Sequence, residues 1–152
     1  YKTNYISIIP SSLYGPNDNY NQRESHVIPA LMKKFSQAKK LNSKNVRIWG
    51  TGKPKREFLH VDDLAKFIVN LAFKNIGHKL LNVGSGNEIT IKQLALLLKR
   101  ISKYQGNLIF EKSKPDGVFR KLLDSSKAKK IGFKCNIPFI DGLTKIYNNN
   151  FQ

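Results

Sequence analysis

The stretch NQRESHVIPALMKKF, residues 21–35, contains a histidine where a polar loop meets an amphipathic helix. Histidine titrates near neutral pH, so His26 can act as an acid or base if it points into a cleft. Lys34 follows two helical turns later on roughly the same face and can bind an anion. Both residues also have a structural interpretation, because His26 can simply begin the helix and Lys34 is one of four lysines on it.

Other side chains of the kinds that bind ligands follow strands or lie in turns. Ser11 and Ser12 come directly after a predicted strand, at the end where open α/β sheets bind ligands. Trp49 and Arg56 flank a glycine-containing turn, and Asp116 lies in KPDG. Structural alternatives stay open for all five. Serines cap backbone groups, a sole tryptophan is often in the core, the arginine can pair with a neighbouring carboxylate, and aspartate suits a turn.

Motifs of the familiar cofactor and metal sites are absent from the sequence. VGSGNEIT supplies two glycines between a strand and a helix, but it lacks the third glycine of G-x-G-x-x-G, so a tight turn explains it. His26, His60 and His78 do not have the spacing of metal ligands. We therefore expect no metal site.

The formal net charge of +17, from 27 basic and 10 acidic side chains, favours an anionic partner. A basic nucleic-acid-binding module is therefore one alternative. However, the lysines are scattered, form no run of five or six, and do not alternate with aromatic residues as in a base-stacking surface. We expect solvated lysines and a small anionic ligand. We expect neither nucleic acid nor a membrane as partner, since no apolar run approaches ~18 residues.

The single cysteine, Cys135, excludes an internal disulfide and fits a reducing compartment. Its neighbours in IGFKCNIPF are largely apolar. This environment predicts a buried, unreactive thiol.

Strand and helix patterns alternate along the chain, which predicts an α/β fold. The strands are too few for a complete doubly wound sheet. By residue number, the predicted elements are strands 4–10, 45–50, 57–61, 79–86 and 107–112, helices 26–40, 62–75, 91–104, 125–131 and 138–151, and a polar loop over 11–25.

Helix starts are predicted from capping residues, namely Ser25, Asp62 or Asp63, and Thr90. Apolar residues spaced three and four apart predict one buried face on each of the first two helices. These faces consist of Ile28, Leu31, Met32 and Phe35, and of Leu64, Phe67, Ile68 and Leu71.

Four stretches, in order and at compatible distances, carry a family resemblance: IIPSSLYGPNDNYNQRESHVIPALMKKF, VRIWGTGKPKREFLHVDDLA, LNVGSGNEITIKQLA and SKPDGVFRKLLD. Together they resemble the carboxyl-terminal half of the GDP-L-fucose synthase family. That family belongs to the extended short-chain dehydrogenase/reductases, which include nucleotide-sugar epimerases and reductases. LYGP and REFLHVDD are typical of the wider family, whereas SHVIPAL and KPDG-x-x-RKLLD favour this member. The resemblance covers essentially all 152 residues.

The resemblance implies a cytoplasmic, NADP-dependent enzyme that is a homodimer when complete. Such an enzyme epimerises GDP-4-keto-6-deoxy-D-mannose at C3 and C5, and then reduces the C4 ketone to give GDP-L-fucose. The implied fold is the last part of a Rossmann-type parallel sheet plus a smaller α/β substrate-binding domain. Cofactor-sheet strands at about 4–10 and 80–83 would be interleaved with a substrate-binding region at about 20–60 and 107–152.

Residue roles follow from the same resemblance. His26 is implied as the acid of epimerisation. Cofactor binding is implied for Pro10, Ser11, Ser12, Leu13 and His26, and substrate binding for Lys34, Trp49, Arg56 and Asp116. Ser12 stands where the family usually has asparagine, which changes the side-chain hydrogen-bonding groups at that contact. Lys34 stands where arginine is common, which replaces a two-pronged donor by a point charge.

None of the six tyrosines of this sequence has a lysine four residues later, so the family's Tyr-x-x-x-Lys pair is not in it. The family's glycine-rich cofactor loop is not in it either. We therefore expect the chain to be one half of a longer enzyme, with the missing amino-terminal half as its partner, and to be inactive alone. Two further alternatives are another nucleotide-sugar epimerase, reductase or dehydratase, and a noncatalytic oligomerisation module.

Overall fold

Strands and helices alternate along the chain, as the sequence predicts for an α/β fold. The computed structural model describes residues 5–21, 24–74, 76–77 and 80–151. Positions 4, 75 and 79 of the predicted elements, and His78, lie outside the described residues. The elements are β1 (Ser7–Pro10), β2 (Ser12–Tyr14), α1 (Val27–Lys40), β3 (Asn45–Trp49), β4 (Lys55–His60), α2 (Val61–Ala72), β5 (Leu80–Val83), β6 (Glu88–Thr90), α3 (Ile91–Ser102), β7 (Asn107–Glu111), β8 (Arg120–Lys121), α4 (Ser126–Lys130) and α5 (Phe139–Phe151).

Parallel pairing joins strands that are distant in the sequence. β1 and β5 form a parallel pair in which Ser7 lies opposite Leu80 and Pro10 lies opposite Val83. β3 and β7 form a second parallel pair. β4 is the centre of a third sheet, where it pairs with β2 and β8 in parallel and with β6 antiparallel. Parallel strands need long crossovers, and helices supply them here.

Two clusters of buried apolar side chains hold these layers together. The larger cluster joins α1, α3 and α5 to β3 and includes Met32, Phe35 and Leu98, none of which has measurable exposure. The smaller cluster joins α2 and α4 to β1 and β5, and includes Phe67 and Leu81. Burial of apolar side chains contributes roughly 25 cal/mol per Å², so these two contact regions dominate the stability of the fold.

The predicted buried faces agree with the structure, with one exception. All four residues predicted for α1 are buried, as are Leu64, Phe67 and Leu71 on α2. The prediction for Ile68 is wrong, since it is 43% exposed. It follows Phe67 by one position, and this turns it about 100° around the helix from Phe67, to the edge of the buried face. The buried thiol predicted for Cys135 is also wrong, because this residue is exposed in the segment between α4 and α5.

The start of α1 differs from the prediction, whereas the start of α3 agrees with it. The N-cap of α1 is His26 instead of Ser25, with an extended backbone at ψ 170°. Thr90 caps α3 as predicted, and its hydroxyl accepts a hydrogen bond from the Gln93 amide at 3.1 Å. The Gln93 side chain in turn accepts from the Thr90 amide at 2.9 Å, which completes a capping box.

Neither Asp62 nor Asp63 begins α2. The helix begins at Val61 and its N-cap is His60, whose Nδ1 accepts a hydrogen bond from the Asp62 amide at 3.2 Å. Asp63 is used elsewhere, because its carboxylate accepts from two backbone amides of the segment before α5.

Three short strands were not predicted. β2 lies inside the stretch 11–25 that the sequence assigns to a loop, and β6 and β8 have two or three residues each. All three pair with β4. In the part of the chain that the structure describes, no helix is long and apolar enough to span a membrane.

Candidate active site

A cavity of about 770 Å³ opens where the chain passes from β1 to β2. It lies beside the carboxyl end of the β1–β5 pair, the position at which parallel sheets of this class bind ligands. Its lining contains all five residues expected on the cofactor side, which are Pro10, Ser11, Ser12, Leu13 and His26.

Ser11 is the point at which the chain leaves one sheet for another. Its amide donates to the Val83 carbonyl at 2.9 Å, which extends the β1–β5 ladder by one bond. Ser12 then lies opposite Phe58 in the pairing of β2 with β4. The hydroxyl oxygen of Ser11 is buried and has no hydrogen-bond partner among the described residues. A buried hydroxyl without a partner costs about 1–3 kcal/mol, so a ligand group that bonds to it would be stabilised.

His26 is exposed at the edge of this cavity. Its backbone begins α1, since its carbonyl accepts from the Ala30 amide at 3.0 Å. Its imidazole makes no capping hydrogen bond. The side chain therefore has no part in holding the helix end, and it can meet a ligand in the cavity.

The cavity wall also contains a buried acid that the sequence analysis missed, Glu57. Only 1% of this residue is exposed, and its two carboxylate oxygens accept from the amides of Gly86 at 2.6 Å and Leu123 at 3.0 Å. Because Glu57 is on β4, these two hydrogen bonds hold the β5–β6 loop and the segment after β8 against that strand. The signal in the sequence was an acidic residue at the start of the predicted strand EFLHV.

Basic side chains form part of the same wall. Arg120 and Lys121 of β8 line the cavity. The Arg120 guanidinium donates two hydrogen bonds, of 2.7 and 2.8 Å, to the Glu88 carboxylate. This pairing lowers the pKa of the Glu88 carboxyl. β8 also borders the second group of predicted residues, since Lys121 lies opposite Arg56 in the pairing of β8 with β4.

The four residues expected to bind substrate lie outside the cavity lining, and two of them form a pair. Trp49 ends β3 and is 65% exposed. The Lys34 ammonium lies 5.8 Å from the centre of its ring, which is a cation–π contact. The same ammonium donates to the Arg47 carbonyl at 3.0 Å. Burial lowers the pKa of Lys34, while the nearby Glu111 carboxylate opposes that shift.

Asp116 bonds to the turn that follows β3. Its carboxylate accepts from the Thr51 amide at 2.6 Å and from the Thr51 hydroxyl at 2.7 Å. These bonds lower the pKa of Asp116. Gly50 lies against the same carboxylate with φ of 79°, and a Cβ at that position would overlap the carboxylate oxygen. The turn therefore requires glycine.

Arg56 lies close to the loop that carries Asp116. Its guanidinium donates to the Lys55 carbonyl at 2.7 Å, and its other terminal nitrogen lies 3.8 Å from the position of a Cβ built on Gly117. Among the described residues, Arg56 forms no ion pair with Glu57 or Asp62, the neighbouring carboxylates. Within the described ranges, no cluster of histidine, cysteine and acidic side chains could hold a metal ion.

Comparisons with known proteins agree on one family. Residues 1–84 match the model of the NAD dependent epimerase/dehydratase family. The chain is 50% identical over 142 residues to a probable GDP-L-fucose synthase 1 of Oryza sativa subsp. japonica, covering 93% of this chain and 43% of that protein. It is 39% identical to the GDP-L-fucose synthase of Escherichia coli strain K12, covering 97% of this chain and 49% of that protein.

A solved structure has the same fold. It is a GDP-L-fucose synthetase from Naegleria fowleri bound to NADP, which superimposes with a TM-score of 0.85 at 29% identity and covers 94% of this chain and 45% of that one. The chain therefore spans less than half the length of each of these three relatives.

Proposed function

Because this chain belongs to the NAD dependent epimerase/dehydratase family, we propose that it is the carboxyl-terminal half of an NADP-dependent GDP-L-fucose synthase. The complete enzyme would convert GDP-4-keto-6-deoxy-D-mannose to GDP-L-fucose in the cytoplasm, and would be a homodimer. The observation that carries the proposal is the cavity at the β1–β2 junction, whose lining includes the cofactor-side stretch and His26 together.

His26 is the acid of this reaction. Transfer of a proton from C3 or C5, next to the C4 ketone, to a base in the amino-terminal half of the complete enzyme would leave an enolate. A new proton must then reach that carbon from the opposite face. An imidazole nitrogen of His26 delivers that proton, because histidine exchanges protons near neutral pH and this side chain is not engaged in capping α1. The exchange at each carbon inverts its configuration and leaves the substrate oxidation state unchanged.

The residues present fit the nicotinamide end of NADP. The buried, unpartnered Ser11 hydroxyl lies in the cavity lining, where a carboxamide can bond to it. Pro10 and Leu13 supply apolar surface beside it, and Ser12 a second hydroxyl. Bound NADPH supplies the hydride that reduces the C4 ketone.

The GDP part of the substrate would bind at the second group of residues. Lys34 and Arg56 provide positive charge for a diphosphate, and the exposed ring of Trp49 offers a face for the base or the sugar. Lysine in place of the family's usual arginine makes one phosphate contact a point charge, so its geometry is looser.

The test uses the complete natural polypeptide that contains these residues. Purified protein is mixed with GDP-4-keto-6-deoxy-D-mannose and NADPH, NADPH oxidation is followed at 340 nm, and the sugar product is identified by NMR. We expect GDP-L-fucose, and we expect no turnover by residues 1–152 alone. A product that retains the configuration at C3 and C5, or turnover only with a different nucleotide sugar, would overturn the proposal in favour of another epimerase or reductase.

A further inference from the structure

A second lysine converges on the ring of Trp49. The Lys114 ammonium lies 5.7 Å from the ring centre, on the segment that follows β7, while Lys34 approaches the same ring from α1. Lys34 also donates to a backbone carbonyl, but the Lys114 ammonium has no hydrogen-bond acceptor among the described residues. Two ammoniums near one exposed aromatic ring concentrate positive charge there, which favours an anionic ligand.

The segment that carries Lys114 is fixed by Asp116. The Lys114 amide donates to the Glu111 carbonyl at 3.0 Å, which forms a turn at the end of β7. Two residues later, both carboxylate oxygens of Asp116 are used by Thr51, in the turn directly after Trp49. These two hydrogen bonds hold the loop of Asp116 against the turn after β3, the strand that ends at Trp49. They also leave the Asp116 carboxylate bonded within the protein. An aspartate is also a poor partner for a diphosphate, since both are anionic.

We propose that Lys114 is a binding residue for the nucleoside diphosphate of the substrate and that Asp116 is a positioning residue that holds Lys114 beside Trp49. This inference rests on the proposed function, because it names which side chain of the 112–117 loop meets the GDP group. Lys34 and Lys114 both supply positive charge to the phosphates, and the ring of Trp49 packs against the base or ribose. Asp116 acts only through the bonds to Thr51.

The test measures GDP binding through the fluorescence of Trp49, which is the sole tryptophan of this chain. The complete natural polypeptide is titrated with GDP, and a Trp49→Phe variant identifies the part of the signal that comes from this ring. We expect Lys114→Met to raise the Kd for GDP about tenfold, the scale of one lost charged hydrogen bond. Lys114→Arg keeps the charge and should stay within about threefold. Lys112→Met removes an equal charge from the same exposed loop and should leave the Kd unchanged.

Asp116 is tested by coupling to Lys114. Asp116→Asn should weaken GDP binding when Lys114 is present, and should have no further effect in the Lys114→Met background, because the two residues act through one contact. In steady-state kinetics, Lys114→Met should raise the KM for the keto sugar with little change in kcat, as expected for a contact made equally in the ground and transition states.

Several outcomes overturn the inference. They are a wild-type Kd in Lys114→Met, an equal loss in Lys112→Met, an additive effect of Asp116→Asn, or no response of Trp49 to saturating GDP. The proposed function is tested separately. A protein that binds GDP through Lys114 but does not form GDP-L-fucose supports the role of Lys114 and refutes the proposed function. A protein that forms GDP-L-fucose, and whose Lys114→Met variant has an unchanged KM, supports the proposed function and refutes the role of Lys114.

Discussion

His26 occupies the N-cap position of α1 without performing the usual task of an N-cap side chain. Asparagine, aspartate, serine and threonine are the residues that cap helices well, and histidine is not among them. A chain selected only for helix stability would gain from one of those four here. Its position on the edge of the cavity leaves the imidazole free for the proton transfer that we propose for it.

We therefore predict opposite effects of His26→Asn on stability and on activity. Asparagine can cap the first turn of α1, so the free energy of unfolding should stay the same or rise by up to about 1 kcal/mol. Turnover by the complete enzyme should fall by roughly 10²-fold or more, the usual scale for a lost general acid. NADPH binding should persist. NMR of the entry of solvent deuterium at sugar C3 and C5 measures the epimerisation itself, and wild-type exchange at both carbons would make His26 structural.

The positions of residues next to a strand end or a helix start were predictable from local sequence, whereas hydrogen bonds between distant residues were not. Ser11 and His26 were selected because they follow a strand and precede a helix, and the cavity contains both. Glu57 was missed because its bonds reach amides 29 and 66 residues away. Asp116 was predicted as a ligand residue, but its bonds to Thr51, 65 residues distant, could not be read from a turn-like KPDG.

At the scale of elements, long periodic segments were predictable and the shortest strands were not. Helices α1, α2, α3 and α5 have a repeating buried face, which the sequence displays. β2, β6 and β8 are too short to show a period, and their residues are polar enough to suggest loops. They are strands because β4 offers them backbone partners, an arrangement that depends on tertiary structure.

We expect the N-terminus of α2 to make the stability of the fold depend on pH. His60 is buried, and its Nδ1 must be unprotonated to accept the Asp62 amide. Burial lowers the pKa of His60 below 6.5, while the carboxylates of Asp62 and Asp63 oppose the shift and the ammoniums of Lys145 and Lys66 add to it. Because the unfolded chain binds this proton more readily, the contribution of His60 is fully present above pH 6.5. It is lost as the pH falls through 6.5 towards the folded pKa.

We predict that His60→Asn flattens the pH dependence of stability. Asparagine keeps an oxygen that can cap the helix but does not titrate. Urea unfolding at pH 5.5 and pH 7.5 should therefore show a smaller difference in the free energy of unfolding for His60→Asn than for the wild type. His60→Ala removes both the cap and the ring, and should lose at least about 1 kcal/mol at pH 7.5. Equal pH dependence in the wild type and His60→Asn would show that another group controls acid stability.

At the scale of the whole molecule, the question is whether the β1–β5 sheet is stable in this chain alone. β1 has one partner strand among the described residues, β5, and two-stranded sheets are marginally stable in water. Apolar side chains around this pair are open to solvent: Ile9 is 45% exposed, Leu80 52%, and Phe73 at the end of α2 88%. The class of fold was predictable from alternating elements. The pairing of β1 with a strand 73 residues later in register was not.

We predict that residues 1–152 alone associate at micromolar concentration through the β1–β5 region, because an unpaired strand edge and exposed apolar side chains favour self-pairing. The net charge of +17 opposes association at low salt, so sedimentation velocity is measured at ~0.15 M salt, where this repulsion is screened. Ile9→Lys introduces a charge beside β1 and should shift the chain towards monomer. Leu41→Lys changes a side chain that is 77% exposed after α1, far in sequence from either strand, and should leave the association unchanged. A wild-type chain that sediments as a monomer and melts in one sharp transition would mean that the β1–β5 pair needs no further strand.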